Sequence, residues 1–332
     1  MEEVTTPSPT KPARKWARAV VYLLAAIGLI LTIIIVIGMM QKKGRPDHTF
    51  DADETVSDLM TRNYGKYSEA QKGWLFVDDA DHTTYIVTVV QQKKIAGKDG
   101  DELYLVTSGK PLDASTTGTS FYGVFQLRWT GDQLYQYSSP RTLGAYEPVT
   151  PEQVHFEALS ADVWGWVVKT VVKEETENAS VVTTRNVVLA LHDEKIVELA
   201  EFNAALDQTG QGDCTETEYH YAEWKKARSE RKAAAAARAA SSTGDEASEA
   251  ASAPEEEEGD GEHFDPVRCT KLQWSYRTDP VSDSTFTPLY ITRKAGMEEG
   301  VQVPAKTWKV MFDPKSFSYL LPDELKVSLG EE

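Results

Sequence analysis

VWGWVVKTVVKEETENASVVTTRNVVLALH, residues 163–192, decides how the chain reads. Two runs dense in Val, Thr and aromatic residues flank the polar stretch ETENA, 175–179. β-Branched and aromatic side chains suit a pleated, half-buried surface, and Asn, Asp and Gly suit the turns between. The stretch therefore reads as a long antiparallel hairpin.

The same pattern continues on both sides. Upstream, residues 74–77 and 83–92 (TTYIVTVVQQ) are separated by the polar DDAD, and LYLVTSG at 103–109 follows the turn GKDGDE. FYGVFQLRW, TGDQ and LYQYSS then make a hairpin over 121–139. Downstream, HDEK turns the chain into IVELAEFN at 196–203. Three further strands are expected at 272–278, 286–294 and 306–312, and SFSYLLPDEL at 316–325 reads as a last strand or a short helix. Short strands at this spacing imply a mainly β fold, an antiparallel β-sandwich or an open-barrel-like domain, rather than βαβ units. No repeat period suggests a solenoid or propeller. The domain is expected in two parts, 73–214 and 269–328, because about 60 residues alone would bury little core.

Ahead of the strands, Thr55 with Asp58 three residues on resembles a capping box. It predicts a short helix over 56–64 stopped by Gly65, within a juxtamembrane segment at 41–72. Residues 1–16, rich in Pro, Thr and Lys, read as a disordered tail. Between them, residues 19–40 (AVVYLLAAIGLILTIIIVIGMM) contain no charge. At about 1.5 Å per residue such a helix crosses a hydrocarbon core of roughly 30 Å. The run exceeds a signal-peptide apolar region and lacks a small-residue cleavage pattern, so 17–40 is read as an uncleaved signal anchor. Lys11, Arg14, Lys15 and Arg18 precede the span and Lys42, Lys43 and Arg45 follow it. That excess of one favours a cytoplasmic N-terminus. The expectation is a single-pass protein of the inner (plasma) membrane whose bulk is extracytoplasmic, periplasmic in a bacterial envelope.

The formal net charge is −17. The first 45 residues carry seven Lys/Arg and two Glu, or +5, which leaves −22 for the rest. Such a balance disfavours nucleic acid or an anionic membrane surface as the main partner of the folded part.

Motifs for chemistry are sparse. There is no G-x-G-x-x-G, P-loop, H-E-x-x-H or G-x-S-x-G. Asp78, Asp79, Asp81 and His82 lack the spacing and distal Glu of an EF-hand and read as a polar turn, as do Asp99 and Asp101. Asp193 and Glu194 would need a cleft to act as acid and base. Trp164 and Trp166 flank Gly165 and share one face of their strand, as a ligand groove or as core. Asn178-Ala179-Ser180 is a sequon, relevant only in a eukaryotic secretory route. No catalytic residue is assigned and no cofactor is expected.

Cys214 and Cys269 are the only cysteines. With His220 and His263 they form C-x5-H…H-x5-C, a candidate zinc set that misses the usual ligand spacings. In an oxidising compartment a Cys214–Cys269 disulfide is the simpler reading. It would close a ring from 214 to 269 and stabilise by about 4 kcal/mol in the loop-entropy model.

The segment inside, 215–268, reads as a charged Ala/Glu-rich insertion. Residues 225–238 hold six Lys/Arg and one Glu, and 245–262 hold nine Asp/Glu and no Lys/Arg. Helix propensity favours a helix over 217–240, and the acidic half should be disordered. The basic helix could dock on an acidic partner or on lipid headgroups, the acidic half could capture a basic partner, or the whole could be a solvated excursion. The functional expectation is a membrane-anchored binding or assembly component of the cell envelope, with the bilayer meeting residues 19–40 and a protein partner at the envelope. The alternatives are an envelope enzyme, hydrolase-like, whose groups meet only in three dimensions (His82, His155 and His192 being candidates), and a structural spacer.

Overall fold

Helix α1 (Ala52–Tyr64) opens the folded region. It starts a turn before the expected boundary because Asp51, not Thr55, is its cap: the Asp51 carboxylate accepts from the Asp53 and Glu54 N–H groups at 3.1 and 3.3 Å. Gly65 ends it with φ of 94°, a backbone that glycine adopts without strain. The computed structural model describes residues 51–79, 82–113, 120–145, 147–176, 178–210, 212–241 and 266–326. The expected tail, the anchor at 19–40 and the acidic half of the insertion lie outside these residues. Among the described residues no helix is long and apolar enough to cross a membrane.

The fold is mainly β, in antiparallel sheets. The first sheet is a meander of β1 (Tyr67–Ser68), β2 (Gly73–Val77), β3 (Thr84–Ala96), β4 (Asp101–Pro111), β5 (Ser120–Thr130) and β6 (Gln133–Ala145), each paired with the next. β3 runs four residues beyond the apolar pattern. Gln92, Lys93 and Lys94 pair with Leu105, Tyr104 and Leu103 across the hairpin, so the ladder overrides their weak propensity.

The second sheet begins with β7 (Val154–Ala158), β8 (Trp164–Glu175), β9 (Ser180–His192) and β10 (Lys195–Thr209). β8 and β9 are the hairpin of 163–192, paired from Gly165 with Ala190 to Glu175 with Ser180. Asp193 and Glu194, at φ of 45° and 65°, form the tight turn from β9 into β10. The chain then leaves the sheet for helix α2 (Cys214–Ser241) and returns as β11 (Thr270–Thr278), whose first four residues pair with β10. Beyond Gln273 the partner of β11 changes. Trp274 to Thr278 pair with β12 (Leu289–Arg293), and β12 pairs in turn with β15 (Lys306–Val310). β13 (Gly296–Glu298) and β14 (Val301–Val303) extend the sheet edge beside Lys271, and β16 (Phe312–Asp313) pairs with β17 (Ser318–Tyr319). SFSYLLPDEL thus divides into β17 and a 3-10 turn at Asp323–Leu325.

Three apolar clusters stack these elements in layers. α1 packs on one face of the first sheet, where the Tyr64 ring lies among Phe76, Phe121 and Phe125 and its hydroxyl meets Thr107 Oγ1 at 2.8 Å. The opposite face carries Tyr104, Val106, Tyr122 and Val124 and packs against Trp166, Val168, Val187 and Leu189 of the second sheet. The second sheet's other face, with Val167, Val188, Leu199 and Phe202, is covered by Leu289, Ile291, Val310 and Tyr319. β4 and β5 are therefore buried on both sides, which explains why they read as near-continuous apolar runs.

Trp166 is fully buried between the sheets, its ring 5.2 Å from that of Tyr104, and Trp164 borders the same cluster. Of the two readings for this pair, the structure shows packing. Gly165 between them sits where a Cβ would lie 2.5 Å from the Leu189 carbonyl oxygen and 2.7 Å from Leu159 Cδ1. Gly165→Ala should lower unfolding free energy by roughly 1–3 kcal/mol, as overpacking does. Urea denaturation of the two proteins measures it, and an unchanged midpoint would mean that β8 shifts freely.

Candidate functional site

The feature most unlike the rest of the surface is built where the second sheet releases and regains the chain. Gln208 of β10 is paired with Thr270 of β11, so the two feet of the insertion emerge side by side. Cys214 opens α2 and Cys269 immediately precedes β11, and they are joined by a disulfide with Cα atoms 5.2 Å apart. With both sulfurs bonded, no thiolate remains for the zinc set Cys214, His220, His263 and Cys269; His220 lies exposed on α2, and His263 is outside the described residues.

α2 is capped and clamped within its first turns. Asp213 Oδ1 accepts from the Thr215 and Glu216 N–H groups at 2.8 and 3.0 Å, and these bonds hold its carboxyl below the ordinary range. The buried Thr217 hydroxyl accepts from Gly210 N–H at 2.9 Å. One turn on, Glu218 accepts from the Arg268 guanidinium and from Cys269 N–H, both at 2.9 Å. Partial burial pushes the Glu218 carboxyl up, but Arg268 and the Cys269 N–H together outweigh it and hold it below its usual 4.5.

The helix stays against the body through Tyr221, Trp224 and Ala227, while residues 228–237 are exposed. α2 therefore lifts away from the sheet edge, and an open recess of about 740 Å³ lies beneath it. Lys225, Arg228 and Lys232 line it from the helix, and Gln208, Arg268 and Glu299 line it from the body. Lys225, Arg228 and Lys232 are spaced three and four apart, one helical face. Two guanidinium groups lie over aromatic rings: Arg268 4.7 Å from the Tyr221 centroid, and Arg228 5.0 Å from that of Trp224. The lining thus sets four cations against one carboxylate, on a chain of net charge −17.

The other sequence candidates do not converge there. Asp78 and His82 sit at the β2–β3 turn, and Asp81 is outside the described residues. Asp101 pairs with Lys94 at 2.5 Å across the β3–β4 hairpin. Asp193 is turn-exposed beside His192, whose ring stacks on Phe317 at 3.6 Å, while His155 is exposed on β7. Asn178 is exposed at the β8–β9 turn. Among the described residues no three His, Cys, Asp or Glu side chains are grouped to hold a metal ion. Sequence reasoning found the cysteines and the basic helix but missed Arg268, Glu218, Tyr221 and Glu299. The one available signal was adjacency: a residue beside Cys269 must lie close to the first turns of a helix that starts at Cys214.

Replacing residues 225–262 by a short Gly-Ser linker should leave a cooperative thermal transition, since the helix packs on the body mainly through residues before Lys225. A broad, non-cooperative melt would show that the removed part belongs to the core. Glu218→Gln should destabilise by up to about 1 kcal/mol at pH 7, in the range of a partly exposed ion pair. Because the folded-state pKa of Glu218 is depressed, its contribution is complete above 4.5 and fades as pH falls through the lower folded value. The stability gap between wild type and variant, followed by thermal melts from pH 7 to 3, should therefore close at the acid end. A gap that stays constant would remove charge from the account. No protein-family model matches the chain, and neither a curated protein nor a solved structure does.

Proposed function

We propose that the chain is a membrane-tethered binding or assembly component of the cell envelope, and that the recess beneath α2 is where it engages a partner. In this reading residues 19–40 cross the plasma membrane once, with the N-terminus cytoplasmic and the β domain extracytoplasmic. The uncharged run of 22 residues supports the tether. The Cys214–Cys269 disulfide supports an oxidising compartment.

The observation that carries the proposal is the basic recess on an acidic protein. Lys225, Arg228, Lys232 and Arg268 gather positive charge along one recess, and such a concentration attracts an anionic group. The clamp gives this recess one rigid wall: cystine, Asp213 cap and Glu218–Arg268 pair fix the helix where it leaves the sheet. A preorganised site loses less entropy on binding than a loop that must be ordered first.

The test is affinity purification of the detergent-solubilised full chain, beside the same chain carrying Lys225→Glu, Arg228→Glu and Lys232→Glu. The triple variant should keep the wild-type melting transition and lose the co-purifying partner. An identical set of co-purifying proteins would remove the recess from the proposal.

A further inference from the structure

We infer that the chain holds a second binding site, on the other flank of Trp224 from the basic recess, and that its ligand is one neutral sugar ring of an oligosaccharide. The site is a cavity of about 240 Å³ between the first turns of α2 and the body. It stands whether or not the basic recess engages a partner.

The clamp at the base of α2 builds the cavity. Thr217, His220 and Trp224 are spaced three and four apart, so they share one helical face, beside the face of Lys225, Arg228 and Lys232. From the body, Asn178 comes from the β8–β9 turn, and Pro266 and Val267 come from the segment leading to Cys269. Gly210 lets α2 come close on this side: a Cβ there would lie 3.3 Å from Thr217 Cγ2. The bonds that fix the helix where it leaves the sheet therefore fix this cavity too.

The lining selects for polarity without charge. Asp, Glu, Lys and Arg make up 26% of the chain, yet none of them lines the cavity. An ion entering it would shed water and meet no counter-charge. A neutral polar ligand meets hydrogen-bonding groups instead. Thr217 is 2% exposed, and its hydroxyl accepts from Gly210 N–H, which leaves its own O–H to donate. The Asn178 amide and the His220 imidazole make no hydrogen bond among the described residues. Donors and acceptors gathered at one place suit vicinal hydroxyls, each of which both donates and accepts.

Size and the apolar part narrow the ligand further. Pockets for drug-sized ligands run from roughly 300 to 1,000 Å³, so this cavity takes one ring rather than several. Trp224, Pro266 and Val267 supply its apolar surface. A pyranose carries C–H groups on its faces and hydroxyls around its rim, and the electron-rich face of an indole attracts such C–H groups. A wholly apolar ligand would leave the buried Thr217 O–H without an acceptor, whereas a sugar hydroxyl provides one. Arg228 lies 5.0 Å from the Trp224 centroid and lines the recess but not this cavity, so the indole is the wall between a charged site and an uncharged one.

Saturation-transfer-difference NMR tests this on the full chain, held in a neutral detergent without a sugar headgroup. The probes are tetramers of glucose, of mannose and of N-acetylglucosamine. At least one should bind at millimolar concentration, with transfer strongest to the protons of a single ring, and added salt should leave its affinity unchanged. Asn178→Ala with His220→Ala should weaken binding at least tenfold and keep the wild-type melting transition, because both side chains are exposed. Lys225→Glu with Lys232→Glu should leave sugar binding unchanged, since neither lysine lines the cavity. No transfer to any of the three tetramers, equal binding by the Asn178 and His220 variant, or tighter binding of a galacturonic-acid tetramer overturns the inference. Loss of sugar binding in the lysine variant also overturns it, by moving the ligand into the recess. None of these results decides whether the triple charge reversal loses a partner in affinity purification, so the two sites stand or fall separately.

Discussion

The pairing of β10 with β11 is the constraint on which the rest depends. β10 carries the second sheet's long hairpins, and β11 carries everything after the insertion. Four residue pairs, from Ala205 with Gln273 to Gln208 with Thr270, join them. Without that ladder the covering layer of β12 and β15 would have no attachment to the sheet whose apolar face it buries. The insertion is then the loop of a hairpin, one with a helix at its start. The disulfide lies just beyond the last pair, where loop-closure entropy works hardest against the ladder.

Much of the fold was legible because local and global preferences agree. Trp74, the runs at 103–109 and 121–129, and the hairpin of 163–192 are strand-formers bounded by turn-formers, and they are strands. What could not be read was partnership. Nothing in LQWSYRT marks the point near Trp274 where β11 exchanges one neighbour for another. Nor does KTWKVMF announce that Met311 interrupts it between β15 and β16. The helix start moved for a simpler reason: Asp51 offered a stronger cap than Thr55, with Asp53 and Glu54 placed in the first turn.

The candidate site was half legible. Two cysteines alone in a chain draw the eye, and an Ala-rich run studded with Lys and Arg reads as a helix. A recess, however, needs a second wall. Here that wall is Gln208, Arg268 and Glu299, which come from three separate places in the chain. Their meeting follows from the β10–β11 register and from the edge strands beside it, and register is a long-range property.

The clamp at the base of α2 also bears on how such a chain can vary over time. Doubling a loop costs only about 0.6 kcal/mol in closure entropy, and a cystine at its base lowers even that sensitivity, because the closed ring is shared by the folded and unfolded chains. Residues beyond the clamp can therefore lengthen, shorten or change composition with little effect on the sheets. The same property makes the stretch after residue 241 a natural port for a fused reporter. The fold holds the entrance rigidly and leaves the length of what passes through it open to selection.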